Sequence, residues 1–130
     1  MAIKEVLACD TEKENIFGVA QLPQFDLLTS CLCFESACKD IPAYNKAVAG
    51  VAAYLKPGGY FILSGVLDES KYTVRDKLFF SLPHSKEDIT SALQAAGYEG
   101  IEWNVHKIEV RNECANNASG YFTLVAQKKM

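Results

Sequence analysis

The chain has 130 residues, a length typical of one domain, and 49% of them are hydrophobic, enough to fill a core. Its net charge is -3, with 13 basic and 16 acidic residues and no dense run of Lys or Arg, so composition argues against a nucleic-acid partner. No apolar run approaches the ~18 residues of a membrane span, and the amino terminus lacks the pattern of a signal peptide. We therefore expect a cytoplasmic protein with no membrane partner.

The first predicted elements are two strands separated by a loop. Residues 3–9 are apolar and compatible with β-structure, and a polar run that begins at Asp10 stops them. Residues 11–24 show no period and contain Gly18 and Pro23, which predicts a loop. Residues 25–33 are almost continuously apolar, which is the pattern of a strand covered on both faces.

A helix and a further strand then complete a crossover unit. Asp40 can cap a helix that continues at helical spacing to Leu55, and the Lys-Pro-Gly-Gly sequence at 56–59 predicts its end. Residues 60–67 predict an apolar strand. A strand that leaves through a helix and returns predicts a parallel pair, whose carboxyl ends meet at one edge of the sheet. Acidic residues follow both strands there: Glu35, Asp68 and Glu69.

The remaining chain adds a wall, a helix and a strand pair. Residues 68–83 mix charges with aromatic side chains and predict a partly helical lid or wall. Residues 85–88 form a capping box for a helix that Gly97 ends. Residues 101–110 alternate and residues 120–126 are rich in β-forming types, which predicts an antiparallel pair. The result is a mixed α/β sheet of five strands with two or three helices.

The cysteines and histidines do not suggest a metal site. The five cysteines are odd in number and include no Cys-x-x-Cys pair, which fits free thiols in a reducing compartment. Three of them lie between residues 31 and 38, which keeps a redox-sensing thiol protein as an alternative. His84 and His106 have no partner motif, and we interpret both as structural or surface residues.

An ordered set of short motifs carries a family resemblance. The motifs are Cys-Asp at 9–10, FDLL leading into CLCFESAC, LKPGGYFILSGVLDESKY, Ser-Leu-Pro at 81–83, AAGY, and Ala-Asn-Asn at 115–117. Together they resemble the carboxyl-terminal half of the amine methyltransferases related to nicotinamide, indolethylamine and phenylethanolamine N-methyltransferase. The resemblance covers the whole chain and implies an S-adenosylmethionine-dependent N-methyltransferase that acts on a small amine.

The fold implied by the resemblance is an α/β, Rossmann-like class I methyltransferase sheet. Residues 1–130 would hold only its second half, with the antiparallel carboxyl-terminal strand pair. The family's glycine-rich loop has no counterpart, because Gly58 and Gly59 precede a strand instead of joining a strand to a helix. Residues 3–9 match the far edge of the family's sheet, so the strands that would join them to residues 25–33 are absent. The resemblance thus implies a partial domain whose own activity is impaired.

The resemblance also assigns individual residues. Asp10 matches the adenine-contacting position, Thr11 follows it, and Cys31 matches the strand end beneath the cofactor. Glu35 and Glu69 match carboxylates near the substrate amine, where an acid pair can hold an ammonium and accept its proton. The substrate-pocket assignments are Leu32, Tyr72, Ser81 and Ala115.

Gly65 bears on the choice of substrate. It stands where the nicotinamide enzyme has an aspartate that binds the carboxamide, so the resemblance favours a primary or secondary arylalkylamine as the substrate. The methyl transfer that the resemblance implies requires no metal. The alternative is a non-catalytic binding, regulatory or dimerising fragment, because an unpaired apolar edge at residues 25–33 favours self-association.

Overall fold

The computed structural model describes residues 3, 5–11, 13, 16–18, 22–107 and 118–130. These residues form a four-stranded sheet in the order β1-β2-β6-β5 and a separate two-stranded sheet of β3 and β4. The strands are β1 (Phe25–Cys31), β2 (Leu55–Leu67), β3 (Lys71–Val74), β4 (Lys77–Phe80), β5 (Tyr98–Lys107) and β6 (Gly120–Lys128). The helices are α1 (Phe34–Ala37), α2 (Ile41–Ala52) and α3 (Lys86–Ala95).

The pairing of the main sheet follows the sequence prediction. β1 and β2 are parallel and are connected through α2, while β6 lies antiparallel between β2 and β5. The α/β class and the antiparallel carboxyl-terminal pair are therefore confirmed. The short helix α1 was not predicted, and the described residues contain six strands where the sequence predicted five.

The helix starts are set by side chains close in sequence. The Asp40 carboxylate accepts a hydrogen bond from the Ala43 N–H at 2.9 Å, which satisfies one of the donors at the start of α2. Ser85 and Asp88 make both hydrogen bonds of the capping box at the start of α3. Gly97 follows α3 with a φ of 94°, a left-handed conformation that costs glycine little. All three predictions are confirmed.

The end of α2 differs from the prediction. The helix stops at Ala52, and Leu55 already pairs with Phe25 in the sheet, whereas Tyr60 pairs with Leu27. Residues 56–59 are thus extra residues in the β1–β2 ladder, a bulge in which Gly58 takes a φ of 82°. The Pro-Gly-Gly sequence shapes a strand irregularity and does not end the helix.

The predicted strand at residues 3–9 was wrong. Residue 3 and residues 5–9 have no strand conformation, and Ile3 and Val6 are 67% and 86% exposed. A strand needs a neighbour to satisfy its backbone hydrogen bonds, and β1 pairs only with β2 among the described residues.

The expectation that residues 25–33 are covered on both faces was also wrong. α2 and α3 pack against one face of the sheet, where alternate side chains of β2 and β6 form the core with them. On the other face Tyr60 and Tyr121 are about half exposed, and Leu27 of β1 is 53% exposed. The strand ends at Cys31 because Leu32 turns into the left-handed region, with a φ of 53°.

The segment at residues 68–83 is a hairpin and not a partly helical lid. β3 and β4 pair antiparallel across a two-residue turn in which Arg75 has a φ of 59°. Positive φ is what such tight hairpin turns require. Tyr72 of β3 stacks on Phe79 of β4 with ring centroids 5.5 Å apart, so the segment still forms a wall.

β5 begins at Tyr98, earlier than predicted, and residues 108–110 of the predicted strand lie outside the described residues. Among the described helices, none is long and apolar enough to cross a membrane. Within the same ranges, no three His, Cys, Asp or Glu side chains are grouped in a way that could hold a metal ion.

Candidate functional site

A cleft of about 440 Å³ opens where β1 and β2 end, beside the hairpin β3–β4. This is the edge at which parallel strands of an open α/β sheet commonly bind ligands. A larger depression of about 530 Å³ between α3 and β5 is more open and holds neither of the candidate acids. The cleft residues are Leu32, Glu35, Ser36, Val66, Glu69, Tyr72 and Thr73.

Backbone contacts at the end of β1 place Glu35 in the cleft. The Leu32 N–H still donates to the Ser64 carbonyl of β2 at 2.9 Å, and the left-handed turn at Leu32 then directs the chain into α1. Glu35 lies in the first turn of α1, and its own carbonyl accepts a hydrogen bond from the Leu82 N–H at 2.7 Å. Glu35 is thus held between the end of β1 and the segment before α3.

A second left-handed residue places Glu69. Asp68 has a φ of 57°, its N–H donates to the His84 carbonyl at 3.0 Å, and its carboxylate accepts from Ser119 Oγ at 2.9 Å. These contacts fix the turn that follows β2 and direct Glu69 into the cleft, where it is only 6% exposed.

Burial changes the proton affinity of both acids. Glu35 is 3% exposed, and burial raises its pKa to about 7; a backbone hydrogen bond opposes this and the neighbouring Glu69 charge adds to it. Burial also raises the pKa of Glu69, while the Ser81 hydroxyl works in the opposite direction. Ser81 is fully buried beside Glu69, although its Oγ makes no hydrogen bond of good geometry. Two such acids in one cleft are typical of a functional site.

The walls above the acids are apolar and aromatic. Leu32 forms part of one wall and is 56% exposed, and Tyr72, backed by Phe79, belongs to the hairpin wall. The cleft therefore combines buried carboxyl groups with an aromatic surface, which suits a ligand that carries both a positive charge and a ring.

The residues that the resemblance assigns to the cofactor lie outside this lining. Thr11 is 9% exposed, whereas Asp10 and Cys31 are exposed. The Asp10 N–H donates to the Ile16 carbonyl at 2.8 Å. Cys31 is the last residue of β1 and is followed by the cleft residue Leu32, so its exposed side chain could line one side of a cofactor site. The described residues thus fit S-adenosylmethionine in part, as one wall of a site.

The structure brings together four of the predicted site residues, and it adds others. Leu32, Glu35, Glu69 and Tyr72 share the cleft, and Ala115 lies outside the described residues. His84, which the sequence suggested to be structural or on the surface, is buried with its Nε2 4.0 Å from Glu35 Oε2. The residues next to His84 in the sequence did not predict its burial or its proximity to Glu35. The cleft residues that the sequence did not indicate are Ser36, Val66 and Thr73.

Sequence comparison identifies related proteins. Residues 1–129 match the model of the NNMT/PNMT/TEMT family. Nicotinamide N-methyltransferase of Homo sapiens is 38% identical over 128 residues, which are 98% of this chain and 48% of that protein. Indolethylamine N-methyltransferase of Oryctolagus cuniculus is 32% identical, and the match covers 98% of this chain and 48% of that protein. The chain therefore spans about half the length of the curated relatives it matches.

Solved structures support the fold. An S-adenosylmethionine-dependent methyltransferase of Methanosarcina mazei superposes with a TM-score of 0.68 at 19% identity, over 92% of this chain and 66% of that one. The 1,6-didemethyltoxoflavin-N1-methyltransferase of Burkholderia thailandensis, solved with S-adenosylhomocysteine, gives 0.61 at 18% identity, over 95% and 50%. At these identities the likeness shows the fold alone. Methyltransferases of this family and the solved methyltransferases that resemble the chain use S-adenosylmethionine as their cofactor.

Proposed function

The chain belongs to the NNMT/PNMT/TEMT family, and we propose that it forms the substrate side of an S-adenosylmethionine-dependent N-methyltransferase for small amines. The observation that carries the proposal is the buried acid pair of Glu35 and Glu69 beside the aromatic wall of Tyr72. S-Adenosylmethionine, when bound, supplies the methyl group.

The acid pair gives this chain a role in preparing the amine. An alkylamine is protonated at neutral pH, and an ammonium has no lone pair with which to attack a methyl group. Glu69 and Glu35 hold the ammonium in the cleft, and a carboxylate with a pKa near 7 is a stronger base than one with an ordinary pKa of 4.5. Glu35 therefore accepts the proton, and the walls fix the orientation of the neutral nitrogen.

We propose an arylalkylamine, and not nicotinamide, as the substrate. The nicotinamide enzymes are among the more similar relatives in overall identity, but identity over the whole chain does not describe the cleft. Gly65 supports the arylalkylamine: a methyl group at this position would lie 2.6 Å from Glu35 Oε2. A side chain at residue 65, an aspartate included, would therefore displace the Glu35 carboxyl group from its present place. The neutral ring of nicotinamide would also leave the buried acids without a cation.

The cofactor and compartment follow from the same proposal. Asp10, Thr11 and Cys31 contact the adenosine side of S-adenosylmethionine, while the remaining contacts come from the part of the relatives that this chain does not span. Ser81 supports Glu69 from behind, and the family resemblance assigns Ala115 to the substrate pocket. We assign the protein to the cytoplasm, in keeping with the exposed thiols of Cys9, Cys31 and Cys33.

The test uses a chimera in which the segment of human nicotinamide N-methyltransferase that this chain does not span is joined ahead of residue 1. Glu35→Gln and Glu69→Gln should each lower methyl transfer to phenylethylamine by about 10- to 100-fold, because each removes a charge-assisted contact to the amine. The affinity for S-adenosylmethionine, measured by calorimetry, should change little. Unchanged turnover in both variants would show that the acids do not handle the amine.

A second candidate is a non-catalytic fragment that binds a partner or another copy of itself. The exposed Leu27 and Phe25 on β1, a strand with one neighbour among the described residues, favour this candidate. The two candidates differ in their need for added sequence: a dimerising fragment associates by itself, whereas the enzyme requires the rest of the cofactor site.

A further inference from the structure

Three buried polar atoms behind the cleft lack hydrogen-bond partners in the described structure. They are Glu35 Oε1 and both ring nitrogens of His84, which make no hydrogen bond of good geometry, although the Leu82 backbone lies close enough to the imidazole to favour its charged form. His84 Nε2 also lies 4.0 Å from Glu35 Oε2, too far for a hydrogen bond. Each buried polar group without a partner is costly, and a carboxyl group and an imidazole are complementary partners for one another.

The surroundings decide which of the two groups can move. The His84 ring lies between the rings of Tyr44 and Phe122, at centroid distances of 5.0 and 6.4 Å, and its carbonyl accepts from the Asp68 N–H. The Glu35 carboxyl group occupies the space that Gly65 leaves open on β2. Glu35 is the more adjustable side chain, and a shift of about 1 Å would bring its oxygen within hydrogen-bond distance of His84.

We propose that His84 is a positioning residue that holds the Glu35 carboxyl group in place in both of its protonation states. An imidazole can do this because one ring nitrogen accepts while the other donates. When Glu35 is protonated, its O–H donates to Nε2 and the ring proton is on Nδ1. When Glu35 is ionised, Nε2–H donates to the carboxylate, and the pair as a whole has released one proton to solvent.

The charges around the pair are compatible with this exchange. Glu69, Cys33 and Tyr44 face Glu35, and each interacts with it electrostatically. The Leu82 backbone, Asp88 and Asp68 act on His84 and favour its charged form. Burial dominates over both sets, since it raises the pKa of Glu35 and lowers that of His84. Burial therefore favours the state in which the Glu35 carboxyl group and the His84 imidazole are both neutral over the state in which both are charged.

The role of His84 in amine deprotonation rests on the proposed function, whereas its pairing with Glu35 does not. If Glu35 accepts a proton from the substrate amine, His84 keeps the carboxyl group aimed at the cleft before and after the transfer. The pairing itself is a property of residues within this chain and can be measured without methyl transfer.

The test is an NMR titration of the 130-residue chain between pH 5 and 9. The Glu35 carboxyl carbon and the His84 ring nitrogens should change with a common midpoint. His84→Leu should raise the pKa of Glu35 by about one unit, because the carboxylate loses a charge-assisted donor. His84→Gln keeps a donor and an acceptor at the same place, and should leave that pKa within about half a unit of the original.

Separate midpoints in the unmodified chain, or equal effects of His84→Leu and His84→Gln on the Glu35 titration, would overturn the inference. Should His84→Leu fail to fold, Glu35→Gln gives the reciprocal measurement, in which the His84 nitrogens must lose their inflection at the Glu35 midpoint. A common midpoint in the chain with no amine turnover in the chimera would reject the proposed function and leave the pairing intact.

Discussion

Glu35 shows how much a single position depends on contacts that are distant in sequence. Its location after β1 followed from the strand pattern, but its 3% exposure comes from α1, the segment before α3 and the space at Gly65. The raised pKa, about 7, follows from this burial. The sequence could therefore predict the acid and its edge of the sheet, whereas its proton affinity depends on the packing.

Glu35 should make stability fall as pH rises. Between its ordinary pKa of 4.5 and about 7 the unfolded chain has lost this proton and the folded chain retains it, so the free energy of unfolding decreases by at most about 3 kcal/mol. His84, whose pKa is lowered from 6.5, acts with the opposite sign. Urea denaturation of Glu35→Gln should show a stabilisation that grows over this window and then levels off. Glu87→Gln, an exposed acid of α3, is the control. A pH-independent difference for Glu35→Gln would contradict the account.

The space at Gly65 gives a second residue-scale prediction. A methyl group there would lie 2.6 Å from Glu35 Oε2 and 3.2 Å from the Phe122 ring, so Gly65→Ala should cost about 1–3 kcal/mol of unfolding free energy. In a Glu35→Ala background the closer contact is gone, and the same substitution should cost clearly less. Equal costs in both backgrounds, measured by denaturation, would mean that Glu35 does not occupy this space.

Among helices and strands, the predictions that depend on residues close in sequence were correct, whereas the predictions that depend on a neighbouring strand or on turn geometry failed. The cap at Asp40 and the capping box at Ser85 involve residues three positions apart, and both were correct. The strand predicted at residues 3–9 failed because no neighbour supports it, and the hairpin was missed because its turn at Arg75 lacks the usual glycine. Propensity specifies an element only when its partners are present.

β1 is an edge strand of the four-stranded sheet, and its backbone on the side away from β2 has no strand partner among the described residues. Leu27 is 53% exposed on a strand with one described neighbour, so the isolated chain should self-associate through this strand. Leu27→Lys should lower the association measured by sedimentation velocity, because a charge on an edge strand opposes pairing. Leu78→Lys, at an exposed apolar position of the hairpin, is the matched control and should have a smaller effect. Association that is insensitive to Leu27→Lys would place the contact elsewhere.

At the scale of the molecule, the family and the sheet were predictable and the complete site was not. The ordered motifs identified the family, and the family match over residues 1–129 confirms it. Four predicted residues share one cleft, whereas Asp10 and Cys31 are exposed and lie outside its lining, and the sequence did not predict that His84 is buried 4.0 Å from Glu35. In the proposed function, the amine side of the reaction would therefore lie within this chain, and the part of the relatives that this chain does not span would supply most of the cofactor side.

The measurement that most directly tests the proposed function is the ratio of kcat/KM for phenylethylamine to that for nicotinamide in the chimera, after calorimetry has shown that it binds S-adenosylmethionine. Human nicotinamide N-methyltransferase is the control, since it shares the joined segment. The buried acids and Gly65 predict a ratio of about ten or more in favour of phenylethylamine, the effect of one charge-assisted contact. A chimera that methylates nicotinamide as well as or better than phenylethylamine would contradict the assignment of the cleft to an arylalkylamine.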